Sequence, residues 1–290
     1  MLLDPGTLAL APGVERLLPH EGLKTELFSC LIETNTPVCE TAFEVRDELV
    51  RLRRLVVERA AREGIVVAAA GSHPFSIPEE QSIVKEQRYL EMVEELGPIA
   101  KGQLVCGLHV HVGMESFDAC LRALAGIRPW LADVLQLSAN SPYLAGEETG
   151  ADSSRIAVLR RLPRGGPPPL LASVSDWEAE VAAAGVDYTR IWWDARPHPR
   201  LGTLEVRIAD QATSVDRAAA LAALVQALCA APPETGTHPL DAVEPAAREL
   251  GTWELVEALR EPAEAHRQLE VGRRDGLEAV AADLVRRSHT

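Results

Sequence analysis

Behind Thr41 the apolar residues Val45, Leu49, Leu52 and Val56 recur at helical spacing with charged residues between them, so this segment reads as an amphipathic helix. Thr41 with Glu44 forms a capping-box pattern at its start, and Gly64 ends it. Ahead of it, residues 27–34 (LFSCLIET) predict a strand stopped by the turn signal Asn35-Thr36-Pro37. Residues 65–70 predict a short apolar strand, and residues 80–96 a second, more charged helix. Further strands are predicted over 105–112, 191–193 and 203–208. The Ala-rich residues 214–230 predict a helix, as do residues 243–260 and 275–287. Strands and helices mix without regular beta-alpha-beta spacing, which favours an α+β architecture with a mostly antiparallel sheet. No long repeat is visible. The Pro-rich stretches 163–169 (PRGGPPP) and 232–239 (PPETGTHP) read as loops too short to join separate domains, so residues 1–290 are expected to form one domain, with 231–290 as its helical tail.

Alternation within the strands separates greasy faces from chemical ones. In Cys106-Gly107-Leu108-His109-Val110-His111-Val112-Gly113, the residues Leu108, Val110 and Val112 share one face. His109 and His111 therefore project from the other, roughly 7 Å apart. One such histidine alone reads as a satisfied core residue; two in strict alternation favour metal or phosphate contact, because neutral imidazole is both a ligand and a donor. Leu204, Val206 and Ile208 alternate in the same way with Glu205 and Arg207. Burying those two without partners costs several kcal/mol, so they meet either a counter-charge in an internal salt bridge or a ligand. Glu33, near the end of the first predicted strand, could join the same surface. Carboxylates and imidazoles on one sheet face suit Mg²⁺ or Mn²⁺ held against phosphate oxygens. Trp192 and Trp193, followed by Asp194, Arg196 and Pro197, read either as a core anchor with an ion pair or as part of a site. The turn-rich stretch from Ser138 to Arg155 reads as a substrate loop or a surface loop.

Composition narrows the function classes. The 290 residues are 47% apolar and 25% charged, an ordinary globular balance. Formal charge is -14, from 43 acidic against 29 basic residues, which repels a polyphosphate and argues against nucleic acid as a partner. No apolar run is long enough for a membrane helix and no basic-then-apolar leader opens the chain, so a cytoplasmic protein is expected. Five scattered cysteines without a C-x-x-C pair read as buried thiols, not as a disulfide framework or a zinc ribbon. The P-loop, Rossmann, nucleophile-elbow and zincin motifs are all missing from the sequence. Any bound nucleotide would need sheet-mounted metal ligands and arginines to hold its phosphates.

Longer motifs carry a resemblance. LIETNTPVC (31–39), AGSHP (70–74), QRYLEM (87–92), CGLHVHVG (106–113), PWL (129–131), LSANSPYLAGEETGADSSR (137–155) and WWDARPHPRLGTLEVRIAD (192–210) occur in one collinear series. In these runs the chain resembles the carboxylate-amine ligases of glutamate-cysteine ligase family 2, over residues 1–230. The resemblance implies a glutamine synthetase-like catalytic fold, in which an antiparallel sheet forms a half-open funnel backed by helices. It implies ATP and Mg²⁺ (or Mn²⁺) as cofactors, with a carboxylate of glutamate or a related amino acid phosphorylated and then captured by an amine. Carried across residue by residue, it makes Glu33, His109 and Glu205 metal ligands and has His111 donate to a phosphate. Arg207 would stabilise the phosphoryl group in transfer, and Arg155 and Arg196 would contact phosphate or substrate carboxylate. The expected partners are small amino-acid and amine substrates, with a homodimer possible, and neither nucleic acid nor membrane.

The chain also departs from the pattern. Family members begin with a strand reading approximately Gly-Val-Glu-Glu-Glu-Phe just before the stretch matched by Leu2-Leu3-Asp4-Pro5, and the sequence here starts at Met1. After Ala231, PPETGTHP stands where an Asn- and Arg-bearing segment usually follows. Two other readings therefore stay open on sequence alone: a metal-dependent amide hydrolase or transferase that works without ATP, and a non-catalytic paralogue.

Overall fold

In the computed structural model, which describes residues 1–231 and 236–289, the helix expected after Thr41 runs Ala42–Arg62. Thr41 Oγ1 accepts the Glu44 N–H at 3.1 Å, while the Glu44 carboxylate reaches back one residue further and accepts from Glu40 N. Gly64 takes φ +70°, the left-handed conformation that lets the chain leave the helix. Leu52, Val56 and Ala60 are the buried stripe of this helix. It lies against the helix Val215–Ala230, which Ser214 caps and which is buried on nearly every side by the helices Phe117–Ile127, Pro239–Glu249 and Trp253–Glu257. Alanine at so many of its positions allows that close approach from several directions.

The largest sheet has three antiparallel strands in the order Ala195–His198, Thr203–Val206, Val110–Gly113. Leu204 and Val206 are buried on one face, and Leu108, Val110 and Val112 pack against the same core. Among the described residues four two-stranded ladders accompany it. Leu2–Leu3 pairs with Val66–Val67, Leu23–Thr25 with Ile32–Thr34, and Tyr143–Leu144 with Glu147–Glu148, all antiparallel; Gly165–Gly166 pairs in parallel with Trp192–Trp193. The chain is thus a mixture of helices with small, mainly antiparallel sheets instead of one continuous sheet.

A second core gathers Leu2, Leu3, Leu17, Phe28, Leu52 and Val67 with Val271, Val280 and Leu284. The last three come from the helices Glu264–Asp275 and Leu277–Ser288, so the tail is packed onto the start of the chain. Ser288 Oγ accepts the Ala69 N–H at 2.9 Å across this contact.

Several expected elements are shorter or divided. Of the predicted strand 27–34 only Ile32–Thr34 forms a strand, while Phe28 makes an isolated antiparallel bridge to Ile83. Leu27, Phe28, Cys30 and Leu31 are all buried and turn through the second core, so the run is continuous in burial instead of alternating. The helix expected from residue 80 begins at Gln87. The one expected over 243–260 separates at Gly251, φ +69°, into Pro239–Glu249 and Trp253–Glu257. Helices Phe117–Ile127, Leu131–Ser138 and Val174–Ala184 were not predicted. The five cysteines are free thiols, with Cys30 and Cys120 buried and the other three half-buried. The loop expected over 232–239 falls in part on residues 232–235, outside the described residues. Among the described residues no helix is long and apolar enough to cross a membrane.

Candidate active site

Antiparallel register puts opposite residues on the same face, and here it draws a row of polar side chains across the three-stranded sheet: Arg196 opposite Glu205, and Glu205 opposite His111. His109 and Arg207 stand one notch along in one direction, His198 and Thr203 one notch along in the other. The other face of the same strands is apolar and anchored in the core, so the polar row has no freedom to turn over.

Glu205 is the centre of the row. Its side chain is only 4% exposed. Arg196 Nε donates to Oε2 at 2.7 Å, and Arg207 Nη1 donates to Oε1. His109 Nδ1 and His111 Nε2 lie 3.7 and 3.8 Å from Oε1. Burial opposes a charge on Glu205, but Arg207 and Arg196 outweigh it and hold the carboxyl well below the usual carboxylate range. The surrounding protein disfavours a charge on His109, and Arg207 adds to this, so its pKa lies well below 6.5 although 39% of its side chain remains accessible. His111 is lowered too, by desolvation that the Glu205 charge only partly offsets. At neutral pH the row holds one carboxylate, two uncharged imidazoles and two guanidiniums. His111 Nδ1 lies 3.0 Å from Thr203 Oγ1, which fixes the ring.

Arg196 is as much framework as site. It is 5% exposed, and its Nη1 donates to the carbonyls of Tyr188, Thr189 and Ile191 at 3.1, 2.8 and 2.5 Å. Arg207 is freer, with 18% of its side chain exposed. Arg155, expected to contact phosphate or substrate, is placed otherwise: it is buried, and Nη1 and Nη2 donate to the carbonyls of Ile208 and Arg207 at 2.9 Å each. Its guanidinium lies so close to Gly107 that a Cβ there would be 2.1 Å from Nη2.

Glu33 belongs to a different element. It pairs with Lys24 in the hairpin of Leu23–Thr25 and Ile32–Thr34, and its carboxylate accepts from Asn35 Nδ2 at 2.7 Å. The expected metal trio Glu33, His109 and Glu205 is not gathered at one point. Among the described residues no three His, Cys, Asp or Glu side chains stand together as a metal-holding group.

The hairpin contributes a carboxylate that sequence reasoning missed. Glu26 accepts the Leu27 N–H at 2.8 Å. Burial pushes its carboxyl above the usual range against that hydrogen bond; the Glu33 charge adds to the push, and Arg88 and Arg207 oppose it. Reading 27–34 as one strand hid the hairpin, whose two arms place Glu26 and Glu33 seven residues apart in the chain.

The remaining motifs are structural. Trp193 packs edge-on against Trp177, with ring centroids 6.0 Å apart, and Asp194 accepts two hydrogen bonds from Arg160. In AGSHP, His73 Nδ1 accepts the Ser76 N–H at 3.0 Å and Nε2 meets the Leu8 carbonyl. Asn140 and Ser141 are fully buried, whereas residues 145–152 are exposed, so the stretch from Ser138 to Arg155 is a buried turn at each end with a surface loop between.

Comparison with known proteins gives the family. The family model described as glutamate-cysteine ligase family 2 matches residues 7–289. The chain belongs to that family. A protein of Herpetosiphon aurantiacus, provisionally named glutamate–cysteine ligase 2, is 37% identical over 238 residues, covering 78% of this chain and 62% of its own length. A Rubrobacter xylanophilus protein provisionally named glutamate–cysteine ligase 2-1 is 37% identical over 240 residues, covering 79% and 64%. The chain thus spans less than two thirds of the length of either relative. Among solved structures, a bifunctional glutathione synthetase from Pasteurella multocida matches 96% of this chain and 50% of its own, with a TM-score of 0.58 and 13% identity. At that identity the likeness is one of fold.

Proposed function

We propose that this family member is an ATP-dependent carboxylate–amine ligase that activates a carboxylate of glutamate or a related amino acid as an acyl phosphate, which an amine then captures as an amide. The observation that carries the reading is the row across the sheet: an ionised Glu205, uncharged His109 and His111, and the guanidiniums of Arg196 and Arg207 on one face. Oxygen and neutral imidazole nitrogen are donors that suit Mg²⁺ or Mn²⁺, so Glu205 and His109, 3.7 Å apart, are the residues that would hold a divalent cation. Mg-ATP, when bound, supplies the phosphoryl group that makes the carboxylate reactive.

The chain's own residues do the rest. Arg207 offers a partly exposed cation to the charge that spreads over a phosphoryl group in transfer, and positioning with cationic stabilisation accounts for nearly all the rate of such reactions. His111, held by Thr203, donates to a phosphate oxygen. Arg196 keeps Glu205 ionised and oriented, and Arg155 supports Arg207 from the main chain. In this reading the three-stranded sheet is one wall of a half-open, glutamine synthetase-like funnel within a single catalytic domain.

The test uses the purified chain with ATP, Mg²⁺, glutamate and a panel of amines that includes cysteine. ADP release is expected only when acid and amine are both present. Release that ignores the amine, or none with any amine, overturns the reading.

A further inference from the structure

Asp210 has no solvent exposure, and its partners belong to the frame of the site. Oδ2 accepts from Ser141 Oγ at 2.7 Å and from Asn140 N at 2.9 Å; Oδ1 accepts from Ser153 Oγ at 2.9 Å and lies 3.8 Å from Arg155 Nη1. A Cβ on Gly71 would meet its carboxyl carbon at 2.8 Å, so it is enclosed on that side as well.

Arg155 transmits this anchor to the catalytic face. Its guanidinium donates to the carbonyls of Arg207 and Ile208, and it packs on Gly107, two residues before His109. One buried cation therefore touches two of the three segments that carry the row, and these two are themselves joined by Leu108 N to Ala209 O at 3.0 Å. A second arm runs the other way. Asn140 Nδ2 donates to Gln211 O and Thr213 Oγ1, while Gln268 Nε2 donates to Asn140 O and Oδ1 at 2.9 and 2.7 Å. Glu264 accepts the N–H groups of Thr213 and Ser214. Both Gln268 and Glu264 belong to the helix Glu264–Asp275.

We propose that Asp210 is a positioning residue for the reaction proposed above: through Arg155 it sets the spacing of His109, Glu205 and Arg207, and through Asn140 it ties that spacing to the helix Glu264–Asp275. The inference rests on the ligase reading. Asp210→Asn keeps the shape of the side chain but replaces an acceptor that meets three hydrogen-bond donors by an amide that is itself half donor, and it removes the counter-charge of Arg155. A shift of about 1 Å in catalytic groups costs on the order of 100-fold in rate.

Steady-state kinetics on the full chain test it. In folded Asp210→Asn, kcat falls about 100-fold while KM for ATP and for glutamate stays within about threefold, because substrate contacts persist and only their alignment is lost. Gln268→Ala, at the far end of the relay, gives a smaller loss in kcat, about tenfold. An unchanged kcat, or a loss confined to KM, overturns the proposal. Should Asp210→Asn not fold, Arg155→Lys takes its place with the same expectation, since it keeps the charge beside Asp210 but not the paired donation to two carbonyls. If the unmutated chain releases no ADP with any amine, the ligase reading fails and the relay is read separately. The amide ¹H–¹⁵N resonances of residues 107–109 and 205–208 must then move in Asp210→Asn, and silence there sinks it.

Discussion

Arg196 and Glu205 face each other across two antiparallel strands, and the 2.7 Å hydrogen bond between Nε and Oε2 joins two charges that water scarcely reaches. Neither is tolerable alone at that depth, because a buried charge that loses its partner keeps its full desolvation cost. Glu205→Gln therefore costs stability as well as chemistry: a loss on the order of 3 kcal/mol in denaturant unfolding, with ADP release down by orders of magnitude. A denaturation midpoint equal to that of the parent chain would mean that the pair is not held in solution.

Arg207 separates those two effects. It shares Glu205 with Arg196, but its side chain is more exposed and makes no comparable set of bonds to the main chain. Arg207→Gln is expected to lower kcat by about 100-fold or more, as for loss of a group that stabilises transition-state charge, while stability falls by less than in Glu205→Gln, because Arg196 still pairs with the carboxylate. Stopped turnover together with a collapsed melting curve would contradict this division of labour.

Gly107 is needed for room. Its backbone is ordinary, but a methyl group there would sit 2.1 Å from Arg155 Nη2 and 2.7 Å from Cζ. Gly107→Ala is expected to destabilise by about 1–3 kcal/mol, the usual cost of overpacking. An unchanged midpoint would show that Arg155 can relocate freely, and would weaken the relay through Asp210 as well.

His73 makes stability depend on pH. Burial lowers its pKa to about 4 from an ordinary 6.5, so between those values the unfolded chain binds a proton that the folded one refuses. Stability is complete above about pH 6.5 and falls as pH drops toward 4, by on the order of 3 kcal/mol from this residue. His109 and His111, whose pKa values are lowered as well, act in the same direction. Unfolding free energies measured from pH 7 to 4.5 should show a shallower slope in His73→Gln; an identical slope would remove His73 as a source.

Tyr143 carries a hydroxyl with no hydrogen-bond partner among the described residues, pressed against Gly272. Tyr143→Phe removes a buried unsatisfied group while keeping the ring, and should raise stability by about 1 kcal/mol. Gly272→Ala, whose Cβ would lie 2.3 Å from that oxygen, should lower it and loosen the helix Glu264–Asp275. A thermal melt of the two variants side by side decides the matter.

The sheet that carries the site was readable because its periodicity is local. Val110 and Val112 alternate with His111 and Gly113, and Leu204 and Val206 with Glu205, so the sorting of greasy and polar faces needed no knowledge of neighbours. Glu26 was not readable in the same way. It sits beside a run whose residues are buried one after another by a core that includes the distant C-terminal helices, and no two-residue period survives there. Arg155 misled for a related reason: arginine among small polar residues reads as a ligand contact, and only the nearby carbonyls of Arg207 and Ile208 reveal what absorbs its donors.

The sequence by itself determined the family, the capped helix Ala42–Arg62, and the face on which His109, His111, Glu205 and Arg207 stand, because each follows from motif or from short-range alternation along the chain. Only the tertiary structure decided that Arg196 lies opposite Glu205, that Glu33 stays with its hairpin, and that Asp210 joins the site's frame to the last helices. Those relations depend on strand register and on buried charges finding partners 50 or more residues away, as Asp210 finds Ser153 and Asn140, and no local pattern encodes such a meeting.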